Sequence, residues 1–267
     1  MLDAPVRVSG VDLEILTRGP EAAPTLLFLH DLEYLNSLEH PFVEALAAAW
    51  RVVSPSHPGF GGSSLPGTFD SVDDLAYTYL DLLRELGPAH VLGAGFGGWI
   101  AAEMAVRCTH EMRSLVLVDA LGIKVGDRLT ADIADMFVAS PDELVHLCWH
   151  DASLGAREMP LPDARFDEDT LTRLLSNRRA AALLGWNPFM HAPKLRGRLA
   201  RIDCPTLVVW GASDGLVSPE YGRAYAESIP AARFELIPEA GHYPYLEQPD
   251  RFVDCVESFL RQQGVGV

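Results

Sequence analysis

Three short stretches of the chain hold residues whose types and spacing could do chemistry. The first, residues 91–103, reads as a strand, a tight glycine-rich turn and a helix of small and apolar residues. Within it Gly93-Ala94-Gly95-Phe96-Gly97 matches the frame G-x-S-x-G, where small neighbours permit a sharp turn that presents a nucleophile at a helix N-terminus. The frame is intact, but position 95, where the hydroxyl would stand, is glycine. Second, Asp214 follows the strand-like run 206–210, and third, His242 follows the run 233–237. A carboxylate that orients an imidazole, and an imidazole that can take a proton from a nucleophile, are the parts of a catalytic triad. Their order along the chain, turn then acid then histidine, is one of the orders in which triads occur.

Neighbouring residues have blander expected roles. Asp119 also ends a strand-like run and could be a reserve acid, but hydrogen bonding to the following turn is its simpler role. Ser63, Ser64 and Ser213 lie in loops rather than on the turn, so none is expected to supply the hydroxyl. His146 and His150 stand one helical turn apart, with Asp151 and His191 nearby, a spacing that can hold zinc. The glutamate that H-E-x-x-H chemistry needs beside the first histidine is absent, and no metal is expected. The glycine run lacks the dinucleotide spacing G-x-G-x-x-G, and no Gly-Lys-Ser/Thr follows it, so no cofactor is expected. Trp186 and Asn187, in a Gly-Trp-Asn-Pro turn, are candidate substrate contacts beside an apolar pocket.

Positioning these residues requires a particular set of elements. Residues 5–18 read as two strands around a Ser9-Gly10 turn, antiparallel at a sheet edge. Further strand-like runs lie at 25–30, 51–54, 89–92, 114–119, 206–210 and 233–237. Most are apolar nearly throughout, as strands buried on both faces of a parallel sheet should be. Ser71-Val72-Asp73-Asp74 opens a helix with a capping-box pattern, and Gly87-Pro88 closes it. Ser218-Pro219 and Pro249 open two more. Between Asp119 and Cys204 the strand rhythm stops. Residues 120–198 read as a helical cap, joined in part by a Met159-Pro160-Leu161-Pro162 linker, inserted into one core formed by 1–119 and 199–267.

Composition sets the outer bounds. With 267 residues, 48% of them hydrophobic, the chain can bury one sizeable core plus a modest insertion. Thirty-seven acidic against 21 basic residues give a net charge of -16, which argues against nucleic acid or an anionic membrane as partner and leaves a small molecule. The four cysteines lack metal or redox spacing and read as free thiols in a reducing compartment. No signal peptide or membrane-spanning run is seen, so a cytoplasmic location is expected. Oligomeric state is left open.

The turn at 93–97, Asp214 and His242, together with Leu27-Phe28-Leu29-His30 and Ser56-His57-Pro58-Gly59-Phe60-Gly61-Gly62-Ser63, give the chain a close resemblance to the α/β-hydrolase fold superfamily. It resembles the esterases and carbon–carbon bond hydrolases of that group over nearly its whole length. The resemblance implies a mostly parallel sheet with helices on both faces. It also implies a triad on Gly95, Asp214 and His242, and an oxyanion hole from the backbone N–H groups of Leu32 and Phe96. Two departures stand out: Gly95 for serine, and Asp31 where the family usually has glycine after His30. Asp31 is expected to cap a turn and face solvent; aimed inward, near where substrate would bind, its carboxylate would oppose a developing oxyanion. The leading functional reading is a hydrolase of a small, partly apolar ester or C–C substrate, inactive because glycine stands at the serine position. On that reading Gly95→Ser supplies the only missing part. Two alternatives stay open. One is a lyase, isomerase or cofactor-free oxygenase using Asp214 and His242 as an acid/base pair; the other is a non-catalytic binding protein.

Overall fold

The computed structural model describes residues 5–32, 40–159 and 167–263. Pro160, Leu161 and Pro162 of the expected linker lie outside these residues. A seven-stranded sheet runs β3-β5-β4-β6-β7-β8-β9, with β3 (Ile15–Arg18) antiparallel at one edge. The remaining strands are parallel: β4 (Thr25–Leu29), β5 (Arg51–Pro55), β6 (Ala89–Ala94), β7 (Met112–Val118), β8 (Thr206–Gly211) and β9 (Arg233–Ile237). The hairpin at the start, β1 (Val6–Val8) and β2 (Val11–Leu13), turns at Ser9-Gly10 as the sequence suggests. It forms its own two-stranded sheet, and the edge of the main sheet is β3 instead.

Burial follows the sheet's topology. Strands β6 and β8 are buried at every position, whereas β9, at the far edge, exposes Arg233, Glu235 and Leu236. Helix α1 (Pro41–Ala47), which the sequence pattern did not single out, precedes β5. Helix α2 (Val72–Leu86) begins with the Ser71/Asp74 capping box and buries Val72, Leu75, Ala76, Tyr79, Leu82 and Leu83. Helix α3 (Gly95–Ala105) is buried on all sides, so its small residues let the sheet and α2 approach from every direction.

Between β7 and β8 lie α4 (Pro141–Cys148), α5 (Ala152–Glu158), α6 (Glu168–Gly185) and α7 (Leu195–Arg198). Helix begins only at Pro141. Residues 120–140 run over the core and join it through a bridge from Ile133 to Val217, with a second bridge from Gly122 to His191. The C-terminal end of α4 docks on the loops after β8 and β9: Leu147 C=O accepts from Gly215 N–H (2.8 Å), and Cys148 C=O accepts from His242 N–H (2.7 Å). After β8 come α8 (Pro219–Glu227), then β9, α9 (Pro244–Glu247) and α10 (Pro249–Gln263).

Strand order decides where a ligand can sit. From β4 the chain goes to β5 on one side, and then to β6 on the other. The connections therefore diverge above the C-terminal ends of β4 and β6, which is where open α/β sheets form a crevice. Asp31 leaves β4 there, and Gly95 leaves β6. Asp119, Asp214 and His242 follow the ends of β7, β8 and β9.

Candidate active site

The turn after β6 takes the strained geometry its sequence frame implies. Gly95 has φ +51°, in the left-handed region. A Cβ on Gly93 would meet the Gly97 backbone, and one on Gly97 would meet the carbonyls of Leu29 and His30. These contacts hold the turn against the end of β4, so the two loops sit in direct contact.

His242 and Asp214 stand as the order of the residues implies. His242 Nδ1 donates to Asp214 Oδ2 at 2.8 Å, and both side chains are buried. Asp214 Oδ1 accepts the backbone N–H groups of Leu216 (2.8 Å) and Val217 (3.1 Å), which fixes the carboxylate. The other ring nitrogen, Nε2, points toward the turn at Gly95. What faces it there is Asp31.

Asp31 does not face solvent. It is 3% exposed, and its carboxylate occupies the space above Gly95. Phe96 N–H donates to Asp31 Oδ1 at 2.7 Å, Leu32 N–H also donates to this carboxylate, and Oδ2 lies 3.3 Å from His242 Nε2. This last contact is an ion pair without good hydrogen-bond alignment, and Nε2 has no hydrogen-bond partner among the described residues. A turn-capping role fails for a physical reason: the positive end of α3 and two backbone N–H groups offer an anion a better partner than water at this depth. The donors expected to form an oxyanion hole, Leu32 and Phe96, are therefore occupied by a side chain of the protein.

Gly95 and Asp31 fit as a pair. A Cβ at position 95 would lie 2.7 Å from Asp31 Oδ2 and closer still to Cγ and Oδ1. Only glycine leaves room for the carboxylate. The backbone of Asp31 is held in turn, because His30 Nδ1 donates to the Asp31 carbonyl at 2.8 Å. His57 Nε2 donates to the His30 carbonyl at 2.8 Å, and its Nδ1 accepts from Tyr79 at 2.7 Å. Burial holds both His30, at about 4, and His57 below the ordinary imidazole range, so both are neutral props. The sequence reading missed this relay. Its visible signal was that the His30-Asp31 departure and Gly95 occur in the same chain.

Charge within the cluster is distributed unevenly. Burial works against an ionised Asp31, but His242 and the two N–H donors outweigh it and hold its pKa below the ordinary carboxylate value. Burial likewise opposes a charged His242, yet Asp214 and Asp31 on its two sides raise its pKa well above the ordinary value. Both shifts favour an imidazolium at His242 facing an ionised Asp31. Asp119 behaves oppositely: burial first, then the neighbouring Asp214, push its carboxyl well above the ordinary range. Its Oδ1 accepts from Gly211 N–H at 2.9 Å, so it braces the end of the neighbouring strand β8 and not the turn that follows it in sequence. Among the described residues Oδ2 has no hydrogen-bond partner as a carboxylate, and with a proton it donates toward Asp214. Since the unfolded carboxyl ionises near 3.8 and the folded one at higher pH, Asp119 lowers stability progressively as pH rises through that interval. Asp119→Asn should remove this penalty. Urea unfolding should find the variant equal to wild type at pH 3.5 and about 1 kcal/mol or more stable at pH 8.

Asp119, Asp214 and His242 are also the group of described residues whose ligand atoms lie close enough to hold a metal. Their hydrogen bonds already account for that closeness. Of the two histidines one turn apart, His146 Nδ1 faces the Asp142 carbonyl (2.7 Å), and His150 Nδ1 faces Ser213 Oγ (2.8 Å). Trp186 packs edge-on against Phe137 and Phe189 and is about half exposed. Asn187 borders two cavities of about 710 and 260 Å³, neither of whose linings includes Asp31, Gly95 or His242. Among the described residues no hydrogen bond or ring contact joins Trp186 or Asn187 to Asp31, Asp214 or His242.

Comparison with known proteins places this geometry in context. The model described as "Alpha/beta hydrolase family" matches residues 26–255. The chain is similar to the pimeloyl-[acyl-carrier protein] methyl ester esterase of Aeromonas hydrophila, at 28% identity over 94% of this chain and 99% of that protein. It is also similar to the 2-hydroxy-6-oxononadienedioate/2-hydroxy-6-oxononatrienedioate hydrolase of Burkholderia vietnamiensis, at 27% identity over 84% and 81%. Among solved structures, a mutant of the meta-cleavage product hydrolase CumD from Pseudomonas fluorescens, with acetates bound, shares the fold. Its TM-score is 0.78 at 21% identity, covering 98% of each chain.

Proposed function

Because the chain belongs to the alpha/beta hydrolase family, we propose that it is a hydrolase that works without a serine nucleophile, through Asp31, His242 and Asp214. The substrate is a small, partly apolar molecule, and residues 120–198 act as its cap. One observation carries this reading: the Asp31 carboxylate sits on the Phe96 and Leu32 N–H groups and faces His242, in the space a serine side chain would need. An acyl-enzyme on residue 95 has no atom to form from. Asp31 and Gly95 fit each other, which favours an inherited pair over a single serine-to-glycine change in an otherwise ordinary hydrolase. The esterase and hydrolase relatives support turnover of water-cleavable small molecules as the general activity.

The test uses a mixed panel of p-nitrophenyl esters, lactones, diketones and alkyl halides. Turnover should be insensitive to fluorophosphonates and should fall by a factor of about 10² or more in both Asp31→Asn and His242→Ala. Fluorophosphonate labelling of any serine with loss of activity, or full activity in folded Asp31→Asn, would exclude the reading.

A further inference from the structure

We propose that the cavity of about 710 Å³ between residues 123–133 and 187–193 binds a second ligand, an apolar monocarboxylate, at a place separate from the Asp31–His242 centre. Binding there does not depend on the reaction assigned to that centre.

The cavity joins an apolar floor to a polar rim. Ile123 and Ile133 are buried at its base, and Pro188 and Phe189 complete the apolar side. Phe189 is braced by edge-on ring contacts with Trp186 and Phe137. The volume falls within the roughly 300–1,000 Å³ of small-molecule sites, which are mostly apolar with a few placed polar groups. The turn at 185–188, marked in sequence as a ligand contact through Trp186 and Asn187, serves this cavity.

Charge decides the class of ligand. Besides His191, the charged side chains lining the cavity are Lys124, Arg128 and Asp132. Two of them cancel: Lys124 Nζ pairs with Asp132, whose carboxylate also accepts the N–H groups of Val125 (3.0 Å) and Gly126 (2.9 Å). Arg128 is exposed at the rim, and among the described residues neither its guanidinium nor the Asn187 amide has a side-chain hydrogen bond or ion pair. A planar guanidinium fork matches the two oxygens of a carboxylate, and the amide adds a further donor. One uncompensated positive charge fits one negative head better than a phosphate dianion. The wall itself belongs to an unusual stretch of this acidic chain: residues 170–202 hold seven Lys and Arg and no Asp or Glu, against a net charge of -16 overall. Such a face draws anions that the remaining surface repels.

The cavity is closed off from the centre. Met190 is fully buried and is absent from the lining; its Sδ lies beside Gly185, as does the Phe96 ring. It fills the space on the side of the turn at Gly95.

Titration calorimetry with octanoate at pH 7.5 should show one octanoate bound per chain. Arg128→Gln and Ala131→Glu, both at exposed rim positions, should each weaken it by about tenfold or more. Acetate, the head without the body, and octylammonium, the body with the opposite charge, should bind weaker by a similar factor. Asp31→Asn should keep the wild-type affinity. No binding of octanoate, an affinity unchanged in both rim variants, or octylammonium binding as tightly would overturn the proposal. Loss of octanoate binding in Asp31→Asn would put the ligand at the Asp31–His242 centre and overturn the separate site.

Discussion

Gly95→Ser will lower stability and bring no esterase activity, whereas Asp31→Gly combined with Gly95→Ser will gain it. A side chain at position 95 starts from a Cβ inside contact distance of the Asp31 carboxyl group, on a backbone at φ +51°. Overpacking of this kind costs roughly 1–3 kcal/mol, and left-handed backbone adds about 1–2 kcal/mol for a residue with a Cβ. At roughly 2–4 °C per kcal/mol, the melting temperature should drop by about 4–20 °C. The serine could not work in any case, because Asp31 holds the donors that its tetrahedral intermediate needs. Removing the Asp31 side chain frees the Phe96 and Leu32 N–H groups and opens the volume for Oγ, beside a His242 already oriented by Asp214. Esterase activity on short p-nitrophenyl esters and fluorophosphonate labelling at Ser should then exceed those of the single variant by about 10²-fold or more. Equal activity of single and double variants would show that Asp31 does not occupy the serine's place.

Asp31→Ala will be the most destabilising single change in the centre. It strands two backbone donors and removes one of the two anions that hold His242 charged. Breaking a buried ion pair in this way typically costs about 3–5 kcal/mol, and thermal melts at pH 7 should show a drop of roughly 10 °C. The milder Asp31→Asn separates charge from packing through its pH profile. His242 has a folded pKa above its ordinary 6.5, so its contribution is fully present below that value and is lost as pH rises through the folded pKa. Asp31 has a folded pKa below its ordinary 3.8, so its contribution is present above that value and is lost as pH falls through the folded one. Wild type should therefore gain most from the pair in the window between these two transitions. Asp31→Asn should lose its acid-side step and move the alkaline decline to lower pH, and the His242 ring proton resonances should titrate at lower pH to match. An unshifted His242 titration would mean that Asp31 and His242 do not interact as an ion pair.

Much of this molecule could be read along the chain because it is governed by local rules. Apolar runs gave the parallel strands, the Ser71/Asp74 capping box marked the start of α2, and the glycine spacing at 93–97 required the sharp turn between β6 and α3. Asp214 and His242 were found because each follows a strand whose position in a parallel sheet is set by its neighbours. Where local pattern was weak, the reading slipped. Residues 120–140 are not helical, and the first hairpin stands apart from the main sheet, because bridges and edge pairing there depend on partners far away in sequence.

The direction of Asp31 is a different kind of fact. In sequence, an aspartate after His30 reads as a turn residue, and solvent is the default partner of a carboxylate. Only the adjacency of β4 and β6 brings it over the N-terminus of α3, and only the absent Cβ of Gly95 gives it room. His242, 211 positions further along the chain, then supplies the opposite charge that makes burial tolerable. The sequence by itself determined the sheet, the turn and the acid–histidine pair, since periodicity and glycine stereochemistry act over a few residues. The tertiary structure decided that the space above Gly95 is filled by Asp31, since a buried carboxylate goes where distant donors and a cation together outweigh its loss of water.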